Sequence, residues 1–275
     1  MKKIKFWDKK IRESFLKYFS GITGVIAAYA LFWDIPKKFK SDIGMFCIII
    51  LCCIYFYIWF RANHLKSIKL YIEGSTVIIK TGDIFSETGL KVIAFNEYFD
   101  TQVDNNIISS NSLNGIFIQK YLSCSVEELD IHITKCPHAK KHITDLNNER
   151  NDGKKQKYEL GTICVWNNYL LTAFSKFNDD NEAQLTIPEY LKFLINFWDR
   201  INSIYAQKSV SVPVFGSGIT RIKGYKNIND DELLKIMLWT FKISEMRFKE
   251  PAKLTIIISK NKINKINLFE IQQQK

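Results

Sequence analysis

Hydrophobic positions fall along this chain in two regimes. Before residue 61 they gather in two long runs: residues 18–33 and 43–60 carry no charged side chain. The stretch 43–60, IGMFCIIILCCIYFYIWF, is close to the roughly 20 apolar residues that take a helix across a bilayer core. Arg61 closes it, and Tyr55, Phe56, Tyr57, Trp59 and Phe60 crowd its end, where aromatic rings suit the headgroup boundary. A buried helix of a soluble domain would normally show a polar face, and this run has none. Residues 15–33 form a second span, ended by Asp34 and Pro36. Gly21 and Gly24, with Ala27 and Ala28 nearby, give it a small-residue face of the kind that lets helices approach closely in lipid. A cleaved signal peptide has a shorter apolar part followed by a small-residue cleavage site. Here Phe32 and Trp33 end the run and a second one follows at once. Two spans, about 15–33 and 43–60, separated by nine residues predict an antiparallel membrane hairpin over residues 1–66.

From residue 67 the pattern changes to short β-branched runs and amphipathic helices. Residues 68–72 and 76–80, parted at Gly74, predict paired strands, and 91–95 another strand. The apolar spacing over 104–121 predicts a mostly helical segment. The polar run 147–156, NNERNDGKKQ, predicts a surface loop. Two apolar runs, 158–166 and 169–177, flank Asn167-Asn168 and predict a hairpin. Thr186 and Glu189 make a capping box with a proline between them. The helix they start should reach about Ala206, burying Tyr190, Phe193, Leu194, Phe197, Ile201 and Ile204. Residues 209–215 predict a strand running into Gly216-Ser217-Gly218. Asn229 to Glu232 open a helix to about Arg247, and 254–259 is a final strand. Strands alternating with helices predict one α/β domain over 67–275, a three-layer α/β/α arrangement around a mixed sheet. The chain contains no internal repeat.

Charge sharpens the division. The net charge is +11, yet residues 1–17 alone hold seven basic against two acidic side chains, and 34–42 hold three against two. More than half of the excess therefore flanks the apolar runs, which favours membrane flanks over a nucleic-acid surface. Lys and Arg outnumber on the outer flanks: seven before the first span and Arg61, Lys66 and Lys69 after the second, against Lys37, Lys38 and Lys40 between them. That bias predicts a multi-pass protein with both termini and the large domain in the cytoplasm. The six cysteines show no secreted-scaffold spacing, in keeping with a reducing compartment.

Three turns could carry chemistry, each following a predicted strand. Thr81-Gly82-Asp83-Ile84 offers a carboxylate to an exocyclic amine such as that of adenine. Asn96 follows the 91–95 strand, where ligands of open α/β sheets bind, and its amide can meet a ribose hydroxyl. Gly216-Ser217-Gly218-Ile219-Thr220 lets backbone N–H groups approach phosphate oxygens without Cβ obstruction. It has no Walker lysine and not the dinucleotide spacing. Taken singly, the first two read as ordinary turns and the third equally well as a tight turn.

In order and character the three turns resemble those of the macro domain, an ADP-ribose-binding fold, over roughly residues 67–260. The resemblance implies that Asp83 and Ile84 hold adenine, that Asn96 approaches the distal ribose, that Val103 belongs to the ligand-binding set beside the phosphate-side loop, and that Gly216, Ser217, Gly218, Ile219 and Thr220 embrace the diphosphate. Two spans followed by such a domain, with FNEYFDTQVDNNI and SLNGIFI, look like the membrane-anchored effector of type II Thoeris anti-phage defence. That family implies a TIR-domain partner producing a signal similar to histidine-conjugated ADP-ribose. It also implies capture of the signal without a resident cofactor, homo-oligomerisation and damage to the lipid bilayer. One departure stands out: common macro domains carry a glycine-rich loop before Val-Asp, whereas here Tyr98-Phe-Asp-Thr-Gln precedes Val103-Asp104. This argues against importing de-ADP-ribosylating activity.

Two alternatives remain open at this level. A membrane-tethered hydrolase of ADP-ribose derivatives would use Asn96 to position water. A constitutive two-helix anchor or channel subunit would use its soluble domain to dock proteins. His132-x3-Cys136-Pro-His138-x3-His142 has zinc-ligand residue types, but Pro137 interrupts any shared helix face. The stretch reads as polar surface, so no metal site and no catalytic residue are assigned.

Overall fold

The computed structural model describes residues 4–33, 37–178, 181–218, 220–223 and 228–273. The helix end expected at Asp34 and Pro36, and the loop residue Ile219, lie outside them. Contacts divide the chain into two compact units, Met1–Ile68 with Ile263–Lys275, and Lys69–Lys262.

In the first unit α1 (Lys9–Phe32) and α2 (Lys37–His64) are both long and apolar enough to cross a membrane. α1 starts six residues before its expected span and ends one short of it, whereas α2 outruns its span at both ends. Large apolar side chains such as Leu16, Val25, Leu31, Phe46, Ile48 and Phe56 point outward, and no heavy atom would lie within 4 Å of a Cβ added at Gly21 or Gly24. The basic N-terminal segment folds back on α2. Tyr55 donates to the Phe6 carbonyl at 2.6 Å and Trp59 to that of Ile4 at 3.0 Å, while the Ile4 N–H donates to Asn63 at 2.9 Å. The Asp8 side chain then caps α1. A C-terminal helix, Leu268–Gln273, belongs to this unit and buries Phe269 with Ile58 and Ala62.

The second unit is built on strands β1 (Ser67–Ile72), β2 (Ser75–Gly82), β3 (Leu90–Asn96), β4 (Ile143–Leu146), β5 (Gln156–Tyr158), β6 (Ile163–Trp166), β7 (Tyr169–Phe177), β8 (Ala183–Thr186), β9 (Val210–Pro213), β10 (Arg221–Lys223) and β11 (Leu254–Ser259). The main sheet runs β1-β2-β11-β9-β3-β7-β8-β10, with β6 also on β7. Its centre, β2 to β7 in that order, is parallel; β6 and β8 meet β7 antiparallel, so the sheet is mixed. β4 and β5 pair separately.

Side-chain alternation along the strands feeds two cores. On one face Ile93, Phe95, Leu171 and Ala173 pack with Phe117 and with Leu129 and Ile133 of α4 (Val126–Lys135). On the other, Phe174 and Phe215 meet Phe193 and Phe197 of α6 (Ile187–Ile204), with ring centroids 4.7–5.3 Å apart. Trp198 then reaches Phe241 of α7 (Asp230–Ile243) at 5.2 Å. Both helices start where expected, α6 on the capping box read at Thr186 and α7 at Asn229, which forms a second capping box with Glu232. The Asn167-Asn168 hairpin forms, with Asn167 at φ +53°, a value asparagine tolerates better than most residues.

Two expectations need correction. Residues 104–121 are not mostly helical. The Asp104 carboxylate accepts the N–H groups of Asn106 and Ile107 at 2.9 and 2.7 Å, which makes a turn where a helix was expected. Helix begins only at α3 (Leu113–Ile116), capped by Ser112, and passes into a π turn, Phe117–Tyr121. The 147–156 run is likewise not simply surface, because it carries the buried Arg150 described below.

Phe197 is fully buried between three aromatic rings. Phe197→Ala should cost about 3–5 kcal/mol, as a cavity replaces the ring. Urea unfolding of the full-length protein measures it.

Candidate functional site

The parallel strands β3, β7, β9 and β11 end at one edge of the sheet, and a cavity of about 420 Å³ opens there. Ala94, Phe95 and Asn96 line it from β3, Phe174, Ser175 and Phe177 from β7, and Pro213 to Gly218 with Thr220 from β9. Ile257 and Ser259 come from β11, followed by Asn261 and Lys262. The wall opposite is the 107–116 segment, through Ile107, Ile108, Ser109, Asn111, Ser112 and Asn114. Lys262 is the one charged side chain among the described lining residues.

The loop after β9 is shaped from below. Buried Tyr190 donates to the Phe215 carbonyl at 3.0 Å, and burial pushes its hydroxyl pKa up, so it stays a neutral donor. Gly216 takes φ +81°, and a Cβ there would meet Leu233 at 3.3 Å. Ser217 turns its hydroxyl back to the Val214 carbonyl at 2.7 Å. Gly218 faces open space, with nothing within 4 Å of a Cβ position. A phosphate would therefore meet backbone N–H groups, the Thr220 hydroxyl and the Lys262 ammonium rather than the Ser217 proton.

Asn96, nearly inaccessible, is committed to the turn that follows β3. Its Oδ1 accepts the N–H groups of Tyr98 and Asp100, both at 3.1 Å, and its Nδ2 donates to Asp100 at 2.8 Å. One amide hydrogen is left for a ligand. The turn is strained, since Phe99 sits at φ +50° in the core. A buried ion pair holds it. Arg150 grips both carboxylate oxygens of Asp100, at 3.2 and 2.7 Å, and the two side chains are 7% and 1% exposed. The guanidinium also donates to the Lys154 carbonyl and to Asn181, and stacks 3.9 Å over the Tyr98 ring. Lys154 adds its own N–H to Asp100 at 2.7 Å, and its ammonium reaches the Phe99 carbonyl at 2.6 Å and Asp130 at 2.5 Å. Burial lowers the Lys154 pKa, against the pull of Asp130. Neighbouring Glu97 is shifted up, again by burial, with Lys157 opposing.

The remaining expected residues stand at the edge. Gly82 pairs in register with Ser259, a cavity residue, so the Asp83 turn begins one strand beyond the lining. Asp83 is exposed and accepts the Phe85 N–H at 3.0 Å; Ile84 beside it is buried. Phe85 stacks on Tyr121 with centroids 4.0 Å apart. Val103 is half-buried against the core and is not among the lining residues. The cavity thus brings together Asn96, Gly216, Ser217, Gly218 and Thr220, but not Asp83, Ile84 or Val103.

Sequence reasoning missed three contributors. The 107–116 wall was read as helix, although Gly115 in SLNGIFI is a signal: any side chain there would collide with the Ser109 carbonyl. Lys262 follows the last strand without a motif. Arg150 sits in a run whose composition looks solvated.

Comparisons with known proteins place the chain. The family model described as "Thoeris protein ThsA, Macro domain" matches residues 77–259. The Thoeris protein ThsA of Bacillus amyloliquefaciens (strain Y2) is 39% identical over 270 residues, which is 97% of this chain and 90% of that protein. Among solved structures, the Oceanobacillus iheyensis macrodomain with ADP aligns at a TM-score of 0.44 and 17% identity, over 77% of this chain and 95% of that one. The same macrodomain with MES bound gives 0.41 and 16%, over 76% and 94%.

Removing Arg150 would leave the Asp100 carboxylate buried and unpaired. Arg150→Ala should therefore lose about 3–5 kcal/mol in urea unfolding. Arg150→Lys should recover only part of it, because an ammonium lacks the planar fork.

Proposed function

The chain belongs to the Thoeris ThsA macro-domain family, and from that premise we propose that it is a membrane-anchored effector of anti-phage defence. Its macro domain captures an ADP-ribose-type nucleotide, similar to the histidine-conjugated ADP-ribose made by a TIR-domain partner. Capture shifts the protein towards an assembled form that disrupts the bilayer. A ligand moves such an equilibrium only by binding the assembled state better than the resting one.

The observation that carries this reading is the cavity itself. It sits at the carboxyl ends of parallel strands and is mostly apolar. An open glycine loop and Lys262 line it, with the Asp83 turn at the neighbouring strand end. That order suits diphosphate against the loop and adenine towards Asp83. Two further features support the membrane part. α1 and α2 are of spanning length, and the small-residue face at Gly21 and Gly24 is open for a second copy. The surplus of Lys and Arg on the outer flanks supports a cytoplasmic macro domain.

Binding without turnover is favoured over hydrolysis by the state of Asn96. Its Oδ1 is already shared by two backbone N–H groups, which leaves it poorly placed to orient an attacking water.

Calorimetric titration of the detergent-solubilised protein with ADP-ribose, its histidine conjugate and a mononucleotide separates the readings. The effector predicts heat with the first two, no product, and a larger species on sizing. Released product would favour the hydrolase, and absence of heat from all three would exclude ligand capture. Asp83→Ala should weaken binding by about 1.5–3 kcal/mol, the worth of a hydrogen bond to a charged group. Unchanged affinity would remove Asp83 from the site.

A further inference from the structure

Away from the nucleotide cavity, three metal-ligating side chains converge inside the domain. We propose that His132, Cys136 and Cys164 bind a thiophilic divalent cation of the zinc type. Their ligand atoms all lie within 4.8 Å of one another. They come from separate places: His132 from the last turn of α4, Cys136 from the junction before the short helix Pro137–Lys140, and Cys164 from β6. Two sulfurs and an imidazole are a donor set for zinc, not for the oxygen-seeking cations magnesium or calcium.

The surroundings fit that chemistry. Cys136 is 4% and Cys164 0% exposed, so a dication between two thiolates would be neutral as a unit in a low-dielectric core. Both sulfurs belong to one buried core, Cys136 opening the short helix Pro137–Lys140 and Cys164 coming from β6. His132 Nε2 lies 2.7 Å from the Val165 carbonyl. Zinc-binding imidazoles commonly have one nitrogen fixed by a carbonyl, with the other carrying the lone pair. Its ring also packs edge-on to Trp166 at 4.8 Å, which sets its plane.

The sequence offers other residues beside Cys136, and on them no metal site is assigned. His138 and His142 follow Cys136 in the chain but are not in the cluster, and Cys164, 28 residues on, completes it. The stretch is also not plain polar surface, because Cys136 belongs to the same core as Phe95, Phe99 and Ile107. The cation would pin α4 and its successor to β6. Three protein ligands leave a fourth position for water. Binding exchanges the thiol protons for the metal and stabilises the folded domain by linkage.

The test uses full-length protein in detergent, reduced with a phosphine and stripped by a chelator. It is titrated with Zn²⁺ against a chromophoric competitor, and separately with Co²⁺. One tight equivalent is expected, with a thiolate-to-cobalt charge-transfer band, tetrahedral d–d bands and a higher Tm. Cys136→Ser, Cys164→Ser and His132→Ala should each weaken Zn²⁺ binding on the order of 100-fold. In case those variants do not fold, a second protein replaces Cys47, Cys52, Cys53 and Cys124 with serine, and it should keep the band. Loss of the band there would overturn the proposal. So would failure of the reduced wild type to bind, or undiminished binding by a folded Cys136→Ser variant.

Discussion

The Arg150–Asp100 ion pair is the constraint on which the candidate site depends. Asp100 lies at the end of a turn that reverses straight after β3, and the turn stores strain at Phe99. Within residues 96–100 the Asn96 amide donates to the Asp100 carboxylate at 2.8 Å but brings no charge to balance it. Arg150 arrives from about 50 positions away, takes both carboxylate oxygens and stacks on Tyr98, while Lys154 covers the Phe99 carbonyl. Neither charge could be buried without the other. Together they fix Asn96 at the cavity floor. The same contacts explain the small β4–β5 sheet, whose connecting loop delivers both cations.

The fold was largely legible because its parts announce themselves locally. The capping boxes at Thr186 and Asn229, the Asn167-Asn168 turn and the largely apolar strand at 254–259 depend on neighbours in sequence. The apolar helices are readable for the same reason. What failed was the 104–121 segment, where helical spacing competed with side-chain-to-backbone bonds. The Asp104 carboxylate satisfies two N–H groups and stops a helix that periodicity alone would start.

The site was legible in part, and the division has a physical basis. Turns that end strands can be recognised from glycine and amide placement, so Asn96 and the 216–220 loop were found. Groups that reach the site from another element leave no such mark. A buried arginine among asparagines and lysines looks like a solvated loop. Lys262 looks like one more surface cation. The metal-ligand cluster repeats the lesson, since His132 and Cys136 are four apart on one helix end, but their partner Cys164 lies on a strand. Closeness in the fold, unlike closeness in sequence, is set by the sheet order.

The central claim is that this strand-end cavity holds a diphosphate-bridged nucleoside. A structure of the full-length protein determined with ADP-ribose or its histidine conjugate bound tests it most directly. The account predicts the diphosphate against the 216–220 loop and Lys262, with adenine reaching the Asp83 turn. Ligand density anywhere else on the molecule, with this cavity closed or filled by protein side chains, would contradict it.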